Sequence, residues 1–492
     1  MRLPAEVMSV HHKTKPDAHL LDAEVGAAVH RRTAAHAGGS TTFFVWGTWA
    51  AMFVVATAAV AIYGRNIPFA EDWFLVAPLT GNEPHLFRWA WAQNSEHLVP
   101  VPKLVLLLLL RLTGGDFRSG MLFNAVLLGL LAGGMILVAR HLRGGQIKAT
   151  DAFFPLALLH LGHWDNLLWS WQLQFVLSTA LTCVLLLLVV TWREGPLTPI
   201  AASAAGLCLV LLPLSGGNGV IVAPAFALWF LYCAVLQFGR EPSQARPVRT
   251  GAILIGSAAL ALLMVVVYLV GYERPTWYAA SPSRLATAET SIKFIALAFG
   301  PAAKSAWFVV SLAAGGVLLI SGAVLLAGAR LTSAAERRRV LGLSLLIGAF
   351  AALALAIGLG RAAKVEASGY MSTRYALLSV PMLCASYLIV ELYARRSVRN
   401  LTQGALFFIA LGLLPLNTKI GLERRDWFQR GLKSFQSDLQ AGMPLDVLAD
   451  RHYQFLVPWS RSGLASGLKL MQQACLGPFA HQGTCSTTSW GR

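Results

Sequence analysis

The feature that most constrains the fold is a series of long apolar runs that carry almost no charge. Of the 492 residues, 56% are hydrophobic and only 13% are charged. A spanning helix needs about 20 apolar residues, and several runs reach that length. The runs are continuous rather than alternating, which is not the pattern of a transmembrane barrel, and a backbone in lipid must satisfy its hydrogen bonds internally. We therefore predict an all-α, polytopic membrane protein.

The apolar runs predict about eleven transmembrane helices, give or take two. They lie near residues 42–63, 119–140, 151–164, 172–193, 197–214, 219–237, 250–271, 305–328, 340–360, 375–395 and 401–417. The run 101–115 is apolar but short, so it either crosses or lies along the interface. If it crosses, another span must compensate, and the segment 286–303 could supply it.

The distribution of basic residues predicts the topology. The formal net charge is +17, and the polar N-terminal tail is basic. If that tail is cytoplasmic and 101–115 does not cross, the later basic loops also fall inside, in agreement with the positive-inside rule. These loops contain Arg140, Arg143, Lys148, Arg193, Arg240, Arg246, Arg249, Arg330, Arg337, Arg338, Arg339, Arg395, Arg396 and Arg399. Motifs for nucleic-acid binding are absent, so we expect no nucleic-acid partner.

This topology divides the chain into three parts. Residues 1–41 form a basic cytoplasmic tail that we expect to be disordered, and residues 42–417 form the transmembrane domain with an outward loop at 64–118. Residues 418–492 form a small outward region, whose apolar spacing predicts short amphipathic helices. If this region is outside the cytoplasm, a disulfide between Cys475 and Cys485 is plausible.

The outward loop collects acids in a chain that otherwise avoids charge. Glu71 and Asp72 follow the first span closely, and Glu96 and His97 precede the short apolar run. Carboxylates at a water-facing membrane surface act as general bases, bind a metal, or are simply solvated. His97 either contacts an acceptor or a phosphate, or is an ordinary interfacial histidine.

A second polar cluster is HLGHWDNLLWSWQLQF, at residues 160–175. His160 and His163 share a helix face, as a metal site would need, but a third ligand at a recognised spacing is missing. We therefore expect no cofactor, and a divalent metal has no support. Aromatic rings with Asp165 and Asn166 at the end of a span are more typical of a cavity mouth that suits a sugar ring.

Two further segments carry polar hints. LSGGNG at 214–219 is a glycine-rich break that lets the backbone approach a ligand or form a tight turn, with Asn218 as its polar residue. In GRAAKVEASGYMSTRYALLSVP at 360–381, the cations Arg361, Lys364 and Arg374 lie on the outward side. Tyr370 adds a hydroxyl one helical turn before Arg374. Cations kept there suggest an anionic partner such as a phosphate, or contact with lipid headgroups.

Taken together, these motifs resemble the GT-C superfamily of membrane glycosyltransferases, which use polyprenyl-phosphate-linked sugars. The resemblance rests on Glu71-Asp72-Trp73 after the first span, then SEHLVPVPKLVLLLLLRLTGGDF, LVARHLRGG and STRYALLSVP. It covers residues 65–175 well and the rest in outline. The chain departs from the family pattern in its Glu-Asp acidic pair, its short late basic loop and its small C-terminal region.

The resemblance implies an inverting transfer to a glycan or lipid acceptor at the outer face of the cytoplasmic membrane. In that scheme Asp72 is the general base, Glu71 holds or polarises it, and Arg374 stabilises the departing phosphate. The scheme also implies roles for the remaining candidates. Arg361, Lys364 and Tyr370 would assist at the phosphate, and Glu96, His97, His163, Asp165, Asn166 and Asn218 would bind acceptor or sugar.

Two alternatives remain open at this stage. A transporter of lipids or solutes would typically show charged residues at mid-bilayer and duplicated halves, whereas this sequence shows few of the former and none of the latter. A non-catalytic protein of the cell envelope would use the outward loop as a protein contact and the tryptophans for packing.

Overall fold

The computed structural model describes residues 18–192, 197–238, 245–276, 279–330, 333–369 and 371–480, with backbone only for 18–38 and 245–246. Within these ranges the chain is helical, and its only β-type pairing is an isolated bridge between Asn94 and His97. The α-helices are α1 (Ala18–Tyr63), α2 (Val76–Leu79), α3 (Leu86–Trp91), α4 (Pro100–Leu112), α5 (Arg118–Leu142), α6 (Phe153–Leu158), α7 (Trp164–Leu168), α8 (Leu173–Thr191), α9 (Pro199–Leu211), α10 (Gly217–Phe238), α11 (Ala245–Val270), α12 (Arg284–Ala296), α13 (Trp307–Gly328), α14 (Ala334–Ser368), α15 (Ala376–Tyr393), α16 (Arg396–Gln440), α17 (Leu445–Leu456) and α18 (Arg461–Gln473).

The prediction of a polytopic helical membrane protein is confirmed. Nine helical segments of the described chain are long and apolar enough to cross a membrane, which lies within the predicted range. They are Gly39–Tyr63, Arg118–Leu142, Ser170–Thr191, Gly217–Phe238, Pro247–Val270, Pro301–Gly328, Ala334–Ser368, Thr373–Tyr393 and Arg396–Gln440.

The other two predicted spans, 151–164 and 197–214, are not among these nine segments. The apolar helix α9 has only 13 residues. The segment 151–170 is broken into short helices: Asp151 pairs with Arg143 beyond one end of α5, whereas Ser170 donates to the Phe117 carbonyl beyond the other end. Since those two partners flank opposite ends of α5, the broken segment runs the length of that helix. The bundle therefore has two ends, which we call the Asp72 end and the Glu391 end.

The short run 101–115 stays at the Asp72 end. It forms α4, which is not among the membrane-length helices. The Lys103 amine donates to the carbonyls of Trp89, Ala90 and Ala92 at 2.9, 3.4 and 2.7 Å, so it caps the C-terminal end of α3. Burial lowers the pKa of Lys103 to about 8. These contacts join α4 to its own loop and support the interfacial interpretation.

The last membrane helix is much longer than predicted. The sequence indicates a span at 401–417 followed by a separate region, whereas α16 continues without a break for 45 residues. The predicted domain boundary after residue 417 therefore falls inside a helix. The predicted amphipathic helices follow as α17 and α18, which pack on the first loop: Trp73 lies against Gly467, and Phe74 stacks on Trp459.

A buried ionic network holds the Glu391 end together. The Glu391 carboxylate pairs with Arg143 at 3.0 Å and Lys148 at 2.9 Å, and accepts from Gln403 at 2.9 Å. Asp151 is fully buried and pairs with the same Arg143. Sequence reasoning missed this network, because its members come from three separate segments of the chain.

Candidate active site

Asp72 is a buried structural link rather than an open carboxylate. It lies in a 3-10 helix at Ala70–Leu75 and is fully inaccessible to solvent. One carboxylate oxygen accepts from the Phe69 amide at 3.3 Å, and the other accepts from the Trp171 amide at 3.0 Å. Burial raises the pKa of Asp72 well above its usual range, against the effect of the Phe69 amide. Asp72 therefore joins the loop at residues 64–118 to the turn that precedes α8.

Glu71, its neighbour, has a carboxylate oxygen without a hydrogen-bond partner among the described residues, whereas both oxygens of Asp72 accept hydrogen bonds. That Glu71 oxygen, Oε2, is buried. Burial raises the pKa of Glu71, while the positive charge of Arg374 acts in the opposite direction. The two side chains are therefore close enough to interact, although some 300 residues separate them in sequence.

The turn that carries Arg374 is held by two of the residues that were expected to bind acceptor or sugar. It is a 3-10 turn at Thr373–Tyr375. Asn166 donates to the Arg374 carbonyl at 3.1 Å, and the Thr373 hydroxyl donates to Asp165 at 2.9 Å. The guanidinium lies 5.5 Å from the Trp169 ring centre, and its Nε atom is buried without a partner. Asp165 and Asn166 thus position the arginine by holding its turn.

Beside this turn is a small cationic cavity of about 30 Å³. It is lined by Arg361, Lys364, Val365, Met371, Ser372, Arg374 and Tyr375. Three of these described lining residues are cations and none is acidic, which is the chemistry of an anion site. Lys364 itself is exposed. Tyr370, the fourth predicted member, lies outside the described residues.

A second, larger cavity of about 280 Å³ adjoins the first at Arg361 and Tyr375. The Arg361 guanidinium donates to the Tyr375 hydroxyl at 2.8 Å and forms an ion pair with Glu96. His97 lies beside that acid, with Nε2 at 3.4 Å from a Glu96 oxygen. Burial, assisted by the charge of Arg374, lowers the pKa of His97 to about 3, so this ring is neutral.

The larger cavity is lined by both polar and apolar side chains. Its walls come from α10, α11 and α14, and Asn218 of the glycine-rich segment also lines it. The lining consists of Glu96, His97, Phe175, Gly217, Asn218, Val220, Ile221, Tyr268, Leu269, Tyr272, Arg274, Leu353, Ala356, Ile357, Gly360, Arg361, Tyr375 and Leu378.

His163 does not line either cavity. It is buried, its ring stacks on His160 with centroids 4.1 Å apart, and its Nε2 bonds to the Ala157 carbonyl at 2.9 Å. In the part of the chain that the structure describes, no group of three or more His, Cys, Asp and Glu side chains could hold a metal ion.

Sequence reasoning did not single out Trp169 or Gln172, which lie in the same region. Gln172 is fully buried, and neither atom of its amide has a partner among the described residues. The Trp169 indole nitrogen is also buried and unpartnered. The segment WSWQLQF is rich in amide and indole groups, which could have drawn attention to these two residues. The sequence does not indicate, however, which of those side chains point into the protein interior.

The C-terminal cysteines are only partly described. Cys475 is in a disulfide, but Cys485 lies outside the described residues, so their pairing stays a prediction. The free cysteines of the described chain are Cys183, Cys208, Cys233 and Cys384.

No protein-family model and no curated protein matches this chain. Among solved structures, the chain is similar to the crystal structure of the Archaeoglobus fulgidus oligosaccharyltransferase in complex with Zn and sulfate. The sequence identity is 12% and the TM-score is 0.37. The match covers 84% of this chain and 58% of that one, so the chain spans little more than half the length of that structure.

Proposed function

We propose that this integral membrane protein is a glycosyltransferase that moves a sugar from a polyprenyl-phosphate donor to an acceptor hydroxyl. The observation that carries the proposal is the proximity of Glu71, whose buried Oε2 atom has no partner among the described residues, to the positive charge of Arg374 at a cationic cavity. A base and an anion site side by side are what transfer from a phosphate leaving group requires. The GT-C resemblance of the sequence motifs points the same way.

The distribution of charge supports an orientation for the site. Basic residues cluster at the Glu391 end, where Arg143, Lys148 and Arg399 surround Glu391. By the positive-inside rule that end is cytoplasmic, and so is the N-terminus. The Asp72 end, with the candidate site and the C-terminal helices, then faces outward from the cytoplasmic membrane.

The geometry favours Glu71 rather than Asp72 as the general base. Both oxygens of Asp72 accept backbone amides, so removing a proton from an acceptor would disrupt the loop that Asp72 holds. Glu71 has an uncommitted oxygen, and its raised pKa brings it closer to the pH at which a base works best. We therefore give Glu71 the catalytic role and Asp72 a positioning role, which reverses the roles expected from the sequence.

Transfer is a single displacement at the anomeric carbon of the donor sugar. The acceptor oxygen attacks the anomeric carbon, and Glu71 takes the hydroxyl proton. The bond between that carbon and the phosphate oxygen breaks, and its electron pair leaves with the polyprenyl phosphate. Arg374 stabilises the charge on the leaving phosphate, assisted by Lys364 and Arg361 of the cationic cavity. Attack opposite the leaving group inverts the configuration at the anomeric carbon.

The test is turnover of radiolabelled polyprenyl-phosphate sugars by the reconstituted protein, followed as release of polyprenyl phosphate. Glu71→Gln should lower turnover by roughly 10²–10⁴-fold, and Arg374→Ala by roughly 10²–10³-fold. Matched controls are Glu423→Gln and Lys419→Ala, at exposed positions of α16. These controls should turn over like the wild type.

Two results would refute this proposal. One is a correctly folded Glu71→Gln protein with wild-type turnover, which would remove Glu71 as the base. The other is a wild-type protein that neither binds nor cleaves any of these donors. That second result would favour a non-catalytic envelope protein or a transporter.

A further inference from the structure

The larger cavity contains two buried hydrogen-bond acceptors without partners. They are Nδ1 of His97 and Oδ1 of Asn218, and both side chains line the cavity. A buried polar atom without a partner costs free energy, so proteins rarely leave such atoms facing an apolar space unless something fills the space. The kind of group that would satisfy them depends on which atoms carry protons.

The orientation of the Asn218 amide follows from its neighbours. The Ser178 hydroxyl donates its proton to the Gln174 carbonyl at 2.7 Å, so it can only accept from Asn218. The Asn218 amide nitrogen is 2.5 Å from that hydroxyl. The amide group therefore directs NH2 to Ser178 and leaves its carbonyl oxygen as the free atom, which is a pure acceptor.

The tautomer of His97 follows in the same way. The ring is neutral, and its Nε2 atom lies 3.4 Å from a Glu96 carboxylate oxygen. A lone pair on Nε2 would be repelled by that oxygen, so we assign the proton to Nε2. Nδ1 then carries a lone pair, and it is also an acceptor.

Two acceptors select a ligand that donates hydrogen bonds. Hydroxyl groups do so, whereas an ionised phosphate has only acceptor oxygens and would find no donor at these two atoms. The rest of the cavity is walled by side chains such as Val220, Ile221, Leu353 and Ile357, which suit an apolar chain. Water molecules would find few hydrogen-bond partners in the apolar part of this cavity, so water alone does not fill it well.

We propose that this cavity binds the hydroxylated head of an amphipathic molecule, with His97 and Asn218 accepting its hydroxyl protons. The adjoining cationic cavity suits phosphate, and the two cavities meet at Arg361 and Tyr375, so a head held by His97 and Asn218 lies next to the anion site. The role of this molecule in transfer rests on the proposed function, but its binding does not. It is either a lipid acceptor or the sugar and chain of the donor itself.

The glycines of LSGGNG supply a variant that fills the site without breaking the fold. A Cβ added to Gly217 would lie 3.6 Å from Nδ1 of His97 and 3.4 Å from the Tyr268 hydroxyl. These are ordinary contact distances, so alanine fits. It nevertheless occupies the space in front of the acceptor, and alanine is a better helix former than glycine.

The probe is tritium-labelled octyl glucoside, at concentrations too low to disturb the bilayer, bound to the full chain in phosphatidylcholine nanodiscs. Empty nanodiscs give the background. We expect Gly217→Ala and Asn218→Leu each to weaken binding by about tenfold. Gly256→Ala, where a Cβ meets nothing within 4 Å, is the matched control and should bind like the wild type.

The proposal is overturned if both site variants bind octyl glucoside as tightly as the wild type. It is also overturned if octyl phosphate binds as well as the glucoside and is weakened by the same substitutions. Competition identifies the natural source. A polyprenyl-phosphate sugar that displaces the glucoside shows that the cavity holds the donor, whereas simultaneous binding of both identifies the acceptor site.

Binding and turnover separate this proposal from the proposed function. A chain that releases polyprenyl phosphate but does not bind octyl glucoside would overturn the cavity proposal alone. A chain that binds the glucoside, loses that binding in the variants and never cleaves a donor would overturn the proposed function alone.

Discussion

At the scale of single residues, two adjacent acids differ in their hydrogen bonding. Asp72 uses both oxygens on backbone amides, while Glu71 keeps a buried oxygen without a partner. The sequence places the acids together and near the bilayer, but it cannot say which one faces the site. That depends on the Trp171 amide, which comes from a segment 99 residues away.

The first prediction concerns the pH dependence of turnover. A general base acts only when it is unprotonated, and burial raises the pKa of Glu71 above that of an ordinary glutamate. Activity should therefore fall as pH decreases through this raised pKa, at a higher pH than a solvated glutamate would give. The measurement is the rate of polyprenyl phosphate release against pH. A rate that stays constant down to the ordinary range of glutamate would contradict the assignment.

The second prediction separates the two acids by stability. Asp72→Asn places an NH2 group against at least one backbone amide, so we expect it to destabilise the protein by about 1–3 kcal/mol. Glu71→Gln should be as stable as the wild type or more stable at neutral pH, because the folded state raises the pKa of Glu71 and so disfavours its charged form. Thermal unfolding in nanodiscs measures both, and equal losses would count against distinct roles.

At the scale of elements, the sequence predicts which segments cross better than it predicts their form. Nine of the eleven predicted spans coincide with described segments that are long and apolar enough to cross a membrane, because length and hydropathy decide membrane crossing. The breaks between Asp151 and Ser170 and the length of α16 were not predicted. Both depend on packing between distant segments, which no local pattern records.

The third prediction tests one such packing contact. α16 approaches the broken segment so closely that a Cβ on Gly421 would lie 2.1 Å from the Leu161 carbonyl oxygen. Gly421→Ala should therefore force the backbones apart and destabilise the protein by roughly 1–3 kcal/mol. Gly412→Ala, in the same helix with nothing within 4 Å, should be neutral or slightly stabilising. Similar melting temperatures for the two variants would show that this contact is loose.

At the scale of the whole molecule, the chain has two chemically different ends. The Glu391 end carries a network of buried ion pairs, whereas the Asp72 end contains the two cavities described above. Acids and cations that the sequence singled out, among them Glu71, Glu96, Arg361 and Arg374, lie close together at the Asp72 end. The sequence could not show that the charge of Arg374 acts on Glu71, because that proximity depends on how the turn at Thr373–Tyr375 packs against the broken segment.

The fourth prediction tests the topology. Cysteines introduced at the exposed positions Asn82 and Ser437 should react with a membrane-impermeant maleimide added from outside. A cysteine at the exposed position Gln146, near the Glu391 end, should react only after the membrane is permeabilised. Of the free cysteines, Cys183, Cys233 and Cys384 are buried and Cys208 is half-buried, so the unmodified protein sets the background. Reaction of all three introduced cysteines from one side would refute the proposed orientation.

The length of α16 has a mechanical consequence. A helix of 45 residues is about 68 Å long, roughly twice the thickness of a bilayer core. The half that projects is a lever that carries α17 and α18, which rest on the loop that holds Glu71. A tilt of about 10°, of the kind that a change in bilayer thickness imposes, moves the far end of such a lever by roughly 6 Å. We therefore expect a change in membrane thickness to shift the loop that holds Glu71.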